Sequence, residues 1–464
     1  MLLTKQAVSN TIDYALSKFK NLYFPNHAYF STLQKTFNQF IKRPTPIAIA
    51  EVQHLNEVSD LLLESTFEDV PILMRSGGHS YAGFSTGRGL VLDTRKLKNI
   101  QYNSNSITLG AGLTLKEAQD KLAPNGFTFP SGEFPDVGIA GYFLGGGHSR
   151  RSRYLGMGAD AVKSMSVHLA SGEKLQHVSP TQRSDLYWAL LGGGGGNFAY
   201  VDSFEIEKIR SFKEYFFKYT FPASVVNEKN DVFEFWEEAI KKSPDHIAVN
   251  ITVYIHNGYI SKLIVSGLIM NIQGDLSDAE TQFRNSIWSE LGNFDPSEFE
   301  GQMSNPNFIR STRLKEMTFK GASHYAAEEI GVSGFEQMKE AIKRHSKQSN
   351  MYMGLYSMGG KINRPQREIS FPHRNSLYMI DLFSNFREDT SKHELFRNNF
   401  NSLYRSLEGL FSGRSYINYP DPDFGVDWPK RYYGDSLEKL IEIKKVYDPK
   451  NRFDYGVHSL SRLV

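Results

Sequence analysis

Met74-Arg75-Ser76-Gly77-Gly78-His79-Ser80-Tyr81 is the stretch on which the reading of this chain turns. It follows a short apolar run, Val70-Pro71-Ile72-Leu73, that predicts a strand. Gly77 and Gly78 permit positive φ and carry no side chain, so the backbone here can approach a bulky ligand. A strand that enters such a turn exposes amides to a phosphate or a heterocycle. His79 then stands at the turn as a ligand, a base or a point of covalent attachment. Taken alone, the stretch also reads as a glycine turn bearing a surface histidine.

Outward from this turn the texture is α/β. Strands are predicted at 46–50, 90–93 and 106–110, and helices at 55–62 and 115–122. Residues 131–147 carry six glycines among small and apolar side chains, a composition expected of backbone laid against an extended ligand rather than of a packed helix. A second glycine tract, Gly192 to Gly196, precedes Asn197-Phe198-Ala199-Tyr200-Val201. From 216 to about 406, long alternating strands such as Ile247–Tyr254 and Lys262–Leu268 interleave with amphipathic helices such as 337–346. This predicts a large antiparallel sheet flanked by helices. The expected organisation is a helical segment over 1–39, a ligand-binding domain over 40–210, a second domain over 211–420, and a tail over 421–464 that returns to the first.

The bulk composition narrows the function classes. Length allows roughly two to four domain-sized units. A net charge of +2 without a long basic run gives no footprint for nucleic acid. Zero cysteines exclude disulfides, thiolate metal sites and cysteinyl cofactor links. The 13 histidines form no convincing ligand pattern with carboxylates, so no metal is expected. Lys5, Lys18 and Lys20 interrupt the N-terminus, and no apolar run approaches a bilayer's span. The expectation is a cytoplasmic protein without a membrane partner. The 33 Phe and 24 Tyr read equally as large cores or as an aromatic-walled pocket for a flat ligand.

These segments together resemble the FAD-linked oxidases of the vanillyl-alcohol-oxidase superfamily, and within it the berberine-bridge-enzyme-like branch. Arg75 to Ser80 resembles the flavin-attachment turn, and Gly132 to Gly147 the pyrophosphate and flavin loop. Asp185 to Leu190 with the second glycine tract, Phe371-Pro372-His373-Arg374, and Tyr416-Ile417-Asn418-Tyr419-Pro420-Asp421 are similar to three further signatures. Tyr432-Tyr433-Gly434 with Tyr447 to Phe453 is similar to the C-terminal module. The six segments stand in register over some four hundred residues. The resemblance implies an α+β fold: a two-subdomain PCMH-type FAD-binding domain plus a substrate domain with a large antiparallel sheet.

The resemblance also implies FAD bonded through its 8α-methyl to His79. The single link follows because Phe134 stands where the branch carries a second, cysteinyl attachment. Cofactor contacts are expected from Arg75, Ser76, Gly77, Gly78, Ser80, Ser131, Gly132, Pro135, Asp136, Val137, Gly138, Gly141, Tyr142, Gly145, Gly147, Asn197, Phe198, Val201 and Asn418. Ser76, Ser80 and Ser131 are read as hydroxyl donors.

Tyr419 is expected as the base that takes a substrate's hydroxyl proton, with Tyr416 as the alternate. Alternate residues of a strand face opposite sides, so only one of the two can face the flavin. Arg374 or a second tyrosine would stabilise the phenolate. Tyr378, Asp381 and Arg374 are candidate substrate contacts, and Val137 implies that dioxygen reaches the reduced flavin. The implied function is oxidation of an alcohol-bearing carbon of a sugar, glycoside or secondary metabolite, with O2 giving H2O2. Oxidative cyclisation or dehydrogenation of an alkaloid- or polyketide-type substrate is the alternative, and a degenerate flavin-binding module a minor one. His148-Ser149 and Ala199-Tyr200 depart from the pattern of the branch. The sequence carries no reading of oligomeric state.

Overall fold

The computed structural model describes residues 14–228, 231–271, 273–283, 285, 300–304, 316–386 and 390–464. Its first sheet contains β1 (Leu22–Tyr23), β2 (Ala48–Glu51), β3 (Ile72–Arg75) and β4 (Leu90–Asp93) in the order β1-β2-β4-β3. β2, β4 and β3 run parallel, and β1 is antiparallel at the edge. Parallel strands are covered on both faces, which is why Leu90-Val91-Leu92 is apolar without alternation and fully buried. Segment 1–39 is therefore not simply helical: Leu22–Tyr23 joins this sheet, and Ala15 and Phe19 pack into its core. The part of the predicted helix before residue 14, including Ile12, lies outside the described residues.

Five antiparallel strands form the second sheet: β5 (Ile100–Tyr102), β6 (Ile107–Gly110), β8 (Val162–His168), β9 (Lys174–Val178) and β10 (Tyr200–Ile206). They are ordered β5-β6-β10-β8-β9, and β7 (Phe127–Thr128) pairs separately with β11 (Ile209–Arg210). The glycine-rich stretch 131–147 departs from expectation. Ile139–Leu144 within it is a helix, buried through Ile139, Ala140, Phe143 and Leu144, while glycines flank it as turns. Small residues let this helix sit close to its neighbours without ceasing to be one.

The third sheet has seven strands: β12 (Glu214–Pro222), β13 (Ile247–His256), β14 (Tyr259–Met270), β15 (Glu300–Ser304), β16 (Phe319–Ala326), β17 (Asn350–Ser357) and β18 (Tyr378–Asn385). Their order is β15-β12-β14-β13-β17-β18-β16, antiparallel throughout. One face packs Ile251, Val253, Met353, Leu355, Ile380 and Leu382 in a core shared with residues of helices Asp231–Lys242, Gly331–His345 and His393–Ser406. Because side chains alternate along a strand, Thr252, Tyr254, Tyr352, Tyr356, Asp381 and Phe383 emerge together on the other face. The C-terminal residues Tyr416, Ile417, Trp428, Tyr432, Tyr433, Leu440, Ile443 and Leu460 belong to the core of the second sheet. Among the described residues, no helix is long and apolar enough to cross a membrane.

Candidate active site

A cavity of about 570 Å³ lies between the 75–81 turn, the 132–150 segment and the polar face of the third sheet. This is within the roughly 300–1,000 Å³ of small-molecule and cofactor sites. At one end, β3 delivers Arg75, Ser76, Gly77, Gly78, His79, Ser80 and Tyr81 to its wall. The turn and the glycine loop meet backbone to backbone. A Cβ on Gly77 would lie 2.3 Å from the Gly138 nitrogen, and one on Gly138 would lie 2.1 Å from Ser76 Oγ. Any side chain at either position would force these two walls apart. Gly141 differs, because a Cβ there would meet nothing within 4 Å. Its missing side chain leaves room in the cavity.

Asp381 also lines the cavity, with Oδ1 buried and making no hydrogen bond. Burial alone pushes its carboxyl up to about 8. Gly354 sits opposite Asp381 in the register, and the Tyr356 ring of the same strand lies over it, its Oη 2.7 Å from where a Cβ would stand. Tyr419 is stacked on Tyr81, with centroids 4.8 Å apart and planes at 12°. Burial raises its phenol well above the ordinary value, and the Asp381 charge pushes the same way.

Tyr416 is in a different setting. Its Oη accepts hydrogen bonds from the backbone N–H of Gly147 (2.8 Å) and His148 (3.0 Å) and from Asn418 Nδ2 (3.1 Å). Burial raises its phenol too, but these three donors oppose the rise. Residues 416–419 form a turn, not a strand, closed by the Tyr419 N–H donating to the Tyr416 carbonyl (2.9 Å). The expectation that only one tyrosine can face the site is thereby corrected, since both line the cavity. A buried Lys320 pins this loop from beneath, paired with Asp421 and, at 2.9 Å, with Asp423.

Two segments of the chain match known families. Residues 46–177 match the FAD binding domain model, and residues 415–456 match the model for berberine and berberine-like proteins. The chain is an FAD-linked oxidoreductase of the berberine-bridge-enzyme-like branch. An uncharacterized FAD-linked oxidoreductase of Bacillus subtilis, YgaK, is 25% identical to it over 90% of this chain and 92% of its own. The structure of Physcomitrella patens BBE-like 1 superposes with a TM-score of 0.84 at 25% identity, covering 97% of this chain and 99% of that one. A carbohydrate oxidase from Microdochium nivale shares the fold, with a TM-score of 0.83 at 22% identity over 97% and 99% of the two chains.

The residues present fit FAD. The close-packed glycine turns and the open space at Gly141 form a cradle that a Cβ would fill. Buried Arg75 lines the same cavity with its Nη1 making no hydrogen bond within the protein, while its Nε faces Asp93 at 3.8 Å. Of the cofactor contacts expected for this oxidoreductase, Arg75 to Ser80, Gly132, Val137, Gly138, Gly141, Tyr142 and Asn418 line the cavity.

Others do not, for visible reasons. Ser131 is fully buried and donates its hydroxyl to the Gly132 carbonyl. Ser76 and Ser80 do line the cavity, but the Ser76 hydroxyl donates to the Ala111 carbonyl (2.9 Å) and the Ser80 hydroxyl accepts the Phe84 N–H. Pro135 and Asp136 brace the loop, the former accepting the Lys116 N–H and the latter pressing its carbonyl on Gly77. Gly145 makes room for Asn418, and Gly147 acts through Tyr416. Asn197 donates to the Gly193 carbonyl and to Tyr455 Oη, while Phe198 and Val201 lie in the core.

The substrate candidates also divide. Asp381 faces the cavity. Tyr378, three residues earlier on the same strand, points the other way and donates to Glu237 Oε1 (2.8 Å) in the apolar core. Arg374 pairs with Asp160 (2.6 Å), so it is no partner for a Tyr419 phenolate. The sequence reading missed His148, Arg150 and Tyr81 as lining residues. Arg150 pairs with Glu133, and burial with the Arg150 charge depresses His148 to about 4, leaving it neutral at pH 7. The departure of His148 from the branch pattern was the signal that marked it out. Of the chain's many aromatics, Tyr254, Tyr352 and Tyr356 line the cavity, and Phe371 packs in the core.

Proposed function

We propose that this oxidoreductase removes the elements of hydride and proton from an alcohol-bearing carbon of a sugar, glycoside or secondary metabolite, with FAD held covalently by His79 and dioxygen as acceptor. The observation that carries this reading is the meeting, in one cavity, of the glycine-histidine turn with Tyr419 and with Asp381, whose Oδ1 makes no hydrogen bond. Bound FAD would supply the oxidant for the carbon, and all proton handling falls to the protein. A phenol raised far above neutrality cannot wait as a phenolate, so Tyr419 serves as a relay. Its Oη takes the substrate hydroxyl proton as its own proton passes toward ionised Asp381.

Tyr416, its oxygen already accepting three N–H groups, holds the Gly147-His148 backbone in place instead. Tyr254, Tyr352 and Tyr356 offer ring faces and hydroxyls suited to a polyhydroxylated or aromatic substrate. Val137 on the wall supports access for dioxygen. The same reading assigns 40–210 with 421–464 to the cofactor and 211–420 to the substrate.

Two measurements test it. Acid precipitation of purified protein should leave flavin in the pellet, and His79→Ala should move it to the supernatant. A screen of hydroxyl-bearing sugars, glycosides and aromatic alcohols should yield H2O2 with at least one. Protein free of flavin after riboflavin-replete expression would end the proposal.

A further inference from the structure

The face of His79 is covered by a phenyl ring from a part of the chain that precedes the matched FAD-binding segment. Phe37 stacks on the imidazole with centroids 4.2 Å apart and planes at 16°. The contact is built into a strap. The Phe37 N–H donates to the Gly78 carbonyl (3.0 Å), and its own carbonyl accepts the Met317 N–H (2.9 Å). On either side, Arg75 Nη2 donates to the Lys35 carbonyl and Asn38 Nδ2 to the Tyr81 carbonyl (2.7 Å). Residues 35–39 thus cross the 75–81 turn at both its ends and its middle, and Met317 ties them to the strand that leads into the third sheet.

We propose that Phe37 is a positioning residue that fixes the His79 ring for covalent attachment to flavin, with the 35–39 strap as its support; this rests on the reading of His79 as the attachment point. A stack covers a face of the imidazole and does not itself occupy the edge, where the in-plane lone pair of the unprotonated ring nitrogen lies. Held this way, the ring keeps one rotamer and offers an edge nitrogen to the 8α-carbon. In the overall reaction a methyl C–H and the imidazole N–H break and a C–N bond forms. The two hydrogens and two electrons reduce the flavin ring, and dioxygen reoxidises it to give H2O2. Phe37 takes no part in those bonds and sets only the geometry at which they form.

The test follows covalent incorporation rather than turnover. Wild type, Phe37→Ala, Phe37→Tyr and His79→Ala are harvested at successive times after induction, and flavin is measured in acid pellet and supernatant. Phe37→Ala should bind the same total flavin but attach it roughly three- to tenfold more slowly, the factor for freeing one ring among its rotamers. Phe37→Tyr, which keeps the stack, should follow wild type. Attachment in Phe37→Ala at the wild-type rate overturns the inference, as does loss of all flavin from that variant, which would make Phe37 a binding residue. With wild-type flavin in the pellet and His79→Ala flavin in the supernatant, either negative falls on Phe37 alone. Wild-type flavin released by acid overturns the reading of His79 and this inference with it.

Discussion

The two faces of the seven-stranded sheet are made by the same strands and differ in everything else. One carries Val253, Met353, Leu355, Ile380 and Leu382 into a helix-covered core; the other carries Thr252, Tyr254, Tyr352, Tyr356 and Asp381 into the cavity. A single-residue step along β18 moves from a side chain whose burial stabilises the fold to a carboxylate whose burial costs stability and serves the site. The apolar face can be changed with loss of stability and little loss of chemistry. The cavity face should show the reverse.

The largest expected effect is on the cavity side. Tyr419→Phe should lower kcat by about 10²–10⁴-fold, the range for removing a positioned proton-transfer group, with an unchanged melting temperature. Steady-state kinetics beside a thermal melt decide it, and a kcat near wild type would return the relay role to another group. Across the sheet, Leu382→Ala should cost about 2–5 kcal/mol in denaturant unfolding, with kcat per folded molecule preserved.

Tyr378→Phe sharpens the contrast at the point where the sequence reading failed. It removes the hydroxyl from buried Glu237, so a loss of about 1–3 kcal/mol is expected with no change in KM. A raised KM at wild-type stability would restore Tyr378 to the substrate site. A further contrast is a pH dependence. The Asp381 pKa is higher folded than unfolded, so the folded state holds the proton longer and stability is lost as pH rises from about 4 to about 8. Asp381→Asn should therefore match wild type in melting temperature near pH 4 and exceed it at pH 8. Its activity should also lose the rise toward pH 8 that ionisation of Asp381 confers. A melting-temperature difference independent of pH would mean that the carboxyl is not buried as described.

Much of the site was legible because it is local. The turn 75–80, the loop around Gly138 and Gly141, and the tyrosines at 416 and 419 are short motifs whose backbone demands are written in consecutive residues. The errors have a common origin. Tyr378 and Asp381 are three apart on one strand and cannot share a face, a constraint that the period of two already contained. Asn197 stands beside a glycine tract that invited a cofactor reading, but its partner Tyr455 lies 258 residues away in sequence.

The sequence by itself indicated the fold class and the family, because six short motifs, each of adjacent residues, stand in register over some four hundred residues, and that resemblance singled out the turn at His79 and Tyr416 and Tyr419. Only the tertiary structure decided that residues 416–419 are a turn, so that both tyrosines reach the cavity. It alone decided that Arg374 is spent on Asp160 and that Phe37 lies on His79. Those outcomes depend on which distant groups are brought to the same place, and pairing between segments leaves no local mark in the chain.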